Sequence, residues 1–215
     1  MPPNLAELRS GRRNSTLNLI KIEAMPSNHH FIFVDNKVVL DKSRKQSDDY
    51  DVLVFARRDI EAFTVPSFIK RIDRCAFQSC TKPKNVNFSD DSKLKSIENN
   101  AFECVSIESI SIPHHVTYIG ERAFVSTAEL RSVDVPIDSE LQIIDHHAFS
   151  ESSFQRVFIP PLVERIKYGS FSCGKLRKVD MTPNSNLRVI DNYAFMMMSS
   201  YWKHCFFRHL QFKEI

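Results

Sequence analysis

The chain has 215 residues, 42% hydrophobic and 26% charged, the proportions of an ordinary globular protein. Its 29 Lys and Arg against 26 Asp and Glu leave a net charge of +3, too balanced for a nucleic-acid glove or a polybasic membrane arm. The four glycines (Gly11, Gly120, Gly169 and Gly174) are too scattered for a dinucleotide fingerprint or a phosphate loop, which excludes nucleotide cradles.

Residues 1–30 are polar. Met1 to Arg13 is basic, but only the short Leu17–Ile22 run follows it, so no export signal is expected there. No stretch approaches the roughly 18–20 apolar residues that span a bilayer. Leu17, Ile20 and Ile22 copy a spacing that recurs downstream, as a decayed repeat would. Phe31–Val34 and Lys37–Leu40 flank Asp35-Asn36, which predicts a hairpin with a two-residue turn. The charged stretch from Asp41 to Asp51 is expected to be a surface loop, and Val52–Phe55 a strand. Residues 31–58 therefore read as a cap or an irregular first rung.

From residue 59 to residue 195 the chain repeats. Ala-Phe recurs at Phe77, Phe102, Phe124, Phe149 and Phe195, and Ser-Phe at Phe171. Five residues before each Phe stands Ile72, Ile97, Ile119, Ile144, Ile166 or Ile190. Eight before stands Ile69, Leu94, Val116, Leu141, Val163 or Leu187. A second block, apolar-x-x-apolar-x-apolar, follows each Phe, as in Ile107-Ile110-Ile112 and Leu130-Val133-Val135. Its last two positions have the period of a half-buried strand. Pro66, Pro113, Pro136 and Pro160 end such strands, because proline has no amide to donate.

The links from strand to the next column alternate in length. Four steps separate Ile112 from Val116 and Ile159 from Val163, whereas six separate Phe88 from Leu94, Val135 from Leu141 and Met181 from Leu187. The unit is thus a pair of turns, 47 residues from Phe77 to Phe124 and from Phe102 to Phe149. One turn of about 23 residues cannot bury its apolar side alone, whereas stacked turns merge those sides into one core. The fold class is therefore a β-dominated solenoid, with one strand per turn in a parallel sheet and short turns on the opposite wall. Short helices at the Ala-Phe corners would be marginal.

Beyond Phe195 the spacing fails. Trp202, Phe206 and Leu210 follow i, i+4, i+8, so residues 196–215 are expected to be either a helical cap or a degenerate tail.

The pattern L-x-x-I-x-x-x-A-F followed by L-x-x-V-x-I-P resembles the BspA-like leucine-rich-repeat family, clearest in Leu94–Phe102 and Val116–Phe124. The block Tyr50–Ile60 resembles the lead-in of its protozoan members. The resemblance implies a non-catalytic surface antigen or adhesin that binds host or matrix proteins. It suggests the cell surface, while the absence of a signal or anchor in this sequence leaves the cytoplasm open. The alternatives are an intracellular scaffold and a fragment of a larger surface protein.

Three His-His pairs, His29-His30, His114-His115 and His146-His147, invite a metal reading. They hold non-equivalent positions in the repeat, so stacking cannot converge them, and they read as loop histidines with no metal or cofactor expected. Cys75, Cys80, Cys104, Cys173 and Cys205 form no C-x-x-C pair and read as small core residues, not nucleophiles. The outward face of the sheet is the remaining candidate surface. Its column runs from Ala62/Thr64 and Asn85/Asn87 to Arg156/Phe158 and Lys178/Asp180, from small and polar to charged. An aromatic flanked by Arg and Asp suits a binding hot spot. Arg131, Asp134, Arg156, Phe158, Lys178 and Asp180 are the candidate contact residues for a protein or glycan ligand, with no nucleic acid expected.

Overall fold

The structure, a computed structural model, describes residues 30–46 and 48–197. The decayed repeat expected before residue 30 and the terminal helix expected around Trp202, Phe206 and Leu210 lie outside the described residues.

Asp35 and Asn36 both take a φ of 51°, and the Lys37 amide donates to the Val34 carbonyl at 3.0 Å. Short Asx side chains tolerate this left-handed region, and the resulting turn matches strand twist. Strand β1 (Ile32–Val34) accordingly folds back antiparallel on β2 (Val38–Asp41), which pairs antiparallel with β3 (Val52–Ala56). Residues of β3 serve two cores. Leu53 joins the main one, while Val52 and Val54 join Phe31, Val39 and Phe55 in a smaller one.

Each following turn contributes two strands rather than the one expected. The strands of one kind are β4 (Ala62–Val65), β6 (Asn85–Phe88), β8 (Ser109–Ser111), β10 (Ser132–Asp134), β12 (Arg156–Ile159) and β14 (Lys178–Met181). Alternating with them are two-residue strands, β5 (Arg71–Ile72), β7 (Ser96–Ile97), β9 (Tyr118–Ile119), β11 (Ile143–Ile144), β13 (Arg165–Ile166) and β15 (Val189–Ile190). The short strands continue from β3 as one parallel ladder that stacks Ile72, Ile97, Ile119, Ile144, Ile166 and Ile190 in register. A two-residue strand has too few positions to show a period, so the second sheet left no mark in the pattern beyond the isoleucine column. Ile190, in the last described rung, is only partly buried, whereas the other five are enclosed.

The Ala-Phe corners form the third wall, and no helix occurs among the described residues. The residue two before each Phe is left-handed in all six corners (Cys75, Asn100, Arg122, His147, Gly169 and Tyr193), with φ from 54° to 64°. This lets alternate amides point along the solenoid axis. The amides of Phe77, Phe102, Phe124, Phe149 and Phe171 donate to Ala101, Ala123, Ala148, Ser170 and Ala194 at 2.7–2.8 Å. The rings follow the backbone. Phe77, Phe102, Phe124, Phe149, Phe171 and Phe195 stack with centroids 4.8–5.6 Å apart and planes within 9° of parallel. Burying each ring is worth about 1.5–3 kcal/mol.

The alternating links divide the turns into doublets. Strand β4 pairs with β6, β8 with β10 and β12 with β14 along three or four residues. Between doublets, β6 meets β8 only at Asn85 and Ser109, and β10 and β12 belong to separate sheets. A long link has the slack to reach back to the short link before it. The Lys93 amide donates to Ser67 O at 2.8 Å, Glu140 to His114 O at 2.9 Å and Asn186 to Pro161 O at 2.8 Å. Each long link is also tied internally, with the Ser92, Ser139 and Ser185 hydroxyls accepting from the Leu94, Leu141 and Leu187 amides at 3.2–3.4 Å. The 47-residue unit is therefore a hydrogen-bonded clasp as well as a spacing.

Candidate binding surface and its cleft

The outward residues of β4 to β14 alternate with buried ones, so Phe63, Val86, Ile110, Val133 and Val157 enter the core and their neighbours face out. In the first two doublets these outward groups are small and polar, with Ser109 Oγ 3.4 Å from Asn85 Oδ1. Asp134 accepts from Ser111 Oγ at 3.4 Å and is otherwise exposed.

On the third doublet, register sets Arg156 beside Lys178 and Phe158 beside Asp180. Asp180 accepts from both cations, Lys178 Nζ at 2.6 Å and Arg156 Nη2 at 3.2 Å. Burial pushes its carboxyl up, but the Lys178 and Arg156 hydrogen bonds outweigh this and hold it below the usual carboxylate range. Phe158, expected as an exposed aromatic, is half-buried in the strand.

The joint between β10 and β12 opens a cleft of about 670 Å³. Arg131, Arg156, Lys175, Glu129, Gln155 and Ser132 line it, three cations against one carboxylate. Glu129 lies 3.5 Å from Arg131 Nη2, in an exposed pair. Of the six expected contact residues, the structure brings Arg131 and Arg156 together here. Lys178, Asp180 and Phe158 lie along the β12–β14 doublet, and Asp134 belongs to β10 without lining the cleft. Lys175, Gln155 and Glu129 also line the cleft but precede their strands in the turn segments, where strand alternation says nothing about them. The shift from a long-link to a short-link turn marks both seams between doublets, so no sequence signal singles out this one.

Among the described cysteines, Cys75, Cys80 and Cys173 are buried and Cys104 is exposed. Burial pushes the Cys80 thiol up to about 11 and that of Cys173 up to about 12, and Cys173 Sγ donates to Phe149 O at 2.8 Å. Thiols held protonated in this way are packing groups, not nucleophiles. Cys104, expected in the core, is exposed. It stands two after its Phe at a φ of 55°, whereas Cys173, at the same place in its turn, is not left-handed and is buried. Cys205 lies outside the described residues. No helix among the described residues is long and apolar enough to cross a membrane.

Solved structures share this architecture at low identity. The pneumococcal vaccine antigen PcpA aligns with a TM-score of 0.60 at 20% identity, over 73% of this chain and 50% of that one. A leucine-rich repeat protein from Eubacterium ventriosum aligns at 0.59 and 19%, over 85% of this chain and 53% of that one. The leucine-rich repeat protein of T. pallidum (TpLRR) aligns at 0.59 and 20%, over 78% of this chain and 92% of that one. The chain thus spans about half the length of the first two. No curated protein matches the sequence significantly. The BspA type leucine-rich repeat region matches in six copies, over residues 52–140 and 130–212. Periodicity, three-walled solenoid and family match agree, and the chain belongs to the BspA-type leucine-rich repeat family.

Proposed function

We propose that this chain is a non-catalytic binding module that takes an acidic segment of a partner protein into the cleft between the second and third doublets. The observation that carries this reading is the convergence of Arg131, Arg156 and Lys175 on one open joint of a rigid sheet. Guanidinium groups present planar forks that match carboxylates, and three cations against Glu129 favour an anionic ligand. Arg156 also contacts Asp180, so a bound carboxylate competes with that exposed pair and displaces little energy. A surface setting, as an antigen or adhesin, is supported by the family and by the structural likeness to a vaccine antigen. The cap or irregular first rung read at residues 31–58 and the cap or degenerate tail read at residues 196–215 belong to the same proposal.

Fluorescence anisotropy with labelled Glu-rich, Lys-rich and uncharged peptides of equal length tests it. The Glu-rich peptide should bind, weaken as salt is raised, and lose at least tenfold in affinity in the Arg131→Ala/Arg156→Ala variant. Equal binding of all three peptides, or an unaffected double variant, excludes the cleft. Antibody labelling of unpermeabilised cells tests the surface setting, which exclusively cytosolic recovery would remove.

A further inference from the structure

At the clasp of the second doublet, the short link Pro113-His114-His115 meets the long link carrying Asp138 and Glu140. His115 Nδ1 lies 2.9 Å from Glu140 Oε1, and His114 Nε2 lies 3.8 Å from the same oxygen. Single donor atoms of His114, His115 and Glu140 all fall within 4.8 Å of one another. Zinc bonded to nitrogen and oxygen at about 2.0–2.2 Å in a tetrahedron holds its ligand atoms roughly 3.3 Å apart. The three donors therefore need only side-chain rotation to close on one ion.

Further contacts orient these donors. The other nitrogen of His114, Nδ1, is 3.4 Å from Asp138 Oδ1, the carboxylate–imidazole contact that orients a ligating ring. Lys95 Nζ holds Glu140 Oε2 at 3.2 Å and leaves Oε1 facing the histidines. Backbone hydrogen bonding from the Glu140 amide to His114 O at 2.9 Å fixes the two links to each other. The side chains of His114, His115 and Glu140 are 40%, 46% and 36% exposed, so an ion reaches them directly and a fourth position stays open. The fold itself does not ask for these residues. The equivalent positions of the other doublets carry Ser67-Phe68 with Lys93, and Pro161-Leu162 with Asn186, and make the same clasp.

We propose that His114, His115 and Glu140 bind one zinc ion on the link edge of the solenoid, with Asp138 as the positioning carboxylate. Two imidazoles and a carboxylate suit zinc and disfavour magnesium or calcium, which prefer all-oxygen shells. The site lies on a different face from the cationic cleft, and the two proposals stand or fall separately.

Isothermal titration of the full chain with zinc chloride, with magnesium as control, tests this. One equivalent of zinc should bind with a micromolar dissociation constant, and magnesium should not compete. His115→Ala and Glu140→Gln should each weaken zinc binding at least tenfold, and Asp138→Asn about tenfold. The melting temperature without zinc should stay unchanged, because these side chains lie outside the core. A zinc-dependent rise in melting temperature should appear in the parent chain and vanish in Glu140→Gln. No uptake at 100-fold excess of zinc over chain, or uptake unchanged in a His114→Ala/His115→Ala variant, overturns the proposal.

Discussion

Phe102 and Phe124 lie 22 residues apart in sequence and stack with ring centroids 5.0 Å apart and planes 2° from parallel. Each is fully enclosed, and each donates its amide to the small residue before the next ring. Ring and backbone ladders therefore fail together. Phe124→Ala leaves a ring-sized void between two aromatic neighbours and should cost about 3–5 kcal/mol in urea unfolding. A loss under 1 kcal/mol would contradict the central role of this wall.

Ile144 sits in register between Ile119 and Ile166 and is 2% exposed. Ile144→Asp places an unpaired charge between two rungs and should abolish the cooperative transition. Ile144→Val, which keeps the column apolar, should cost only about 0.5–1.5 kcal/mol. An unchanged melting curve for the Asp variant would remove Ile144 from the core.

Gly120 is the one residue of its column that must lack a side chain. A Cβ there would meet Asn99 N and Glu98 C of the preceding turn at 2.7 Å, and both atoms are backbone. Gly120→Ala should therefore force two rungs apart and destabilise by about 1–3 kcal/mol. Thermal unfolding measures it, and wild-type stability would mean that the turns slide freely.

Acid should loosen the molecule through Asp51 and Asp145. Asp51 accepts from Lys70 Nζ at 3.0 Å and from Ser43 N and Oγ, both at 2.9 Å. Asp145 accepts from Tyr118 Oη at 2.9 Å, Lys167 Nζ at 3.0 Å and the His146 amide at 2.7 Å. Burial pushes both carboxyls up, yet these donors outweigh it and leave both below the usual range. Their stabilisation is thus complete above the unfolded value of about 3.9 and is lost as pH falls through the lower folded values. Urea unfolding followed from pH 6 to pH 2 should show stability falling below about pH 4. The fall should be shallower in Asp51→Asn and Asp145→Asn, and parallel curves for parent and variants would refute the assignment.

The isoleucine and phenylalanine columns were legible because stacking places each residue on its own copy, so one buried position repeats as a type. What lies between copies was less legible. The gap between β10 and β12 is a matter of pairing, which no residue type encodes, and it decides that Arg131 and Arg156 share a cleft while Lys178 does not. Cys104 and Cys173 both stand two after a Phe, yet Cys104 is left-handed and exposed whereas Cys173 is neither, a difference that residue type does not carry. The histidine pairs occupy non-equivalent places in the repeat, so no pair meets another by stacking. The partner of His114-His115 is Glu140, on the long link that the clasp brings back.

The clasp also governs how such a molecule can grow. Three doublets have two seams between them, and each further 47-residue insertion would add one more seam without opening an existing clasp. Length in this architecture therefore comes in whole steps: a longer relative gains one doublet and one seam at a time, and never half a clasp.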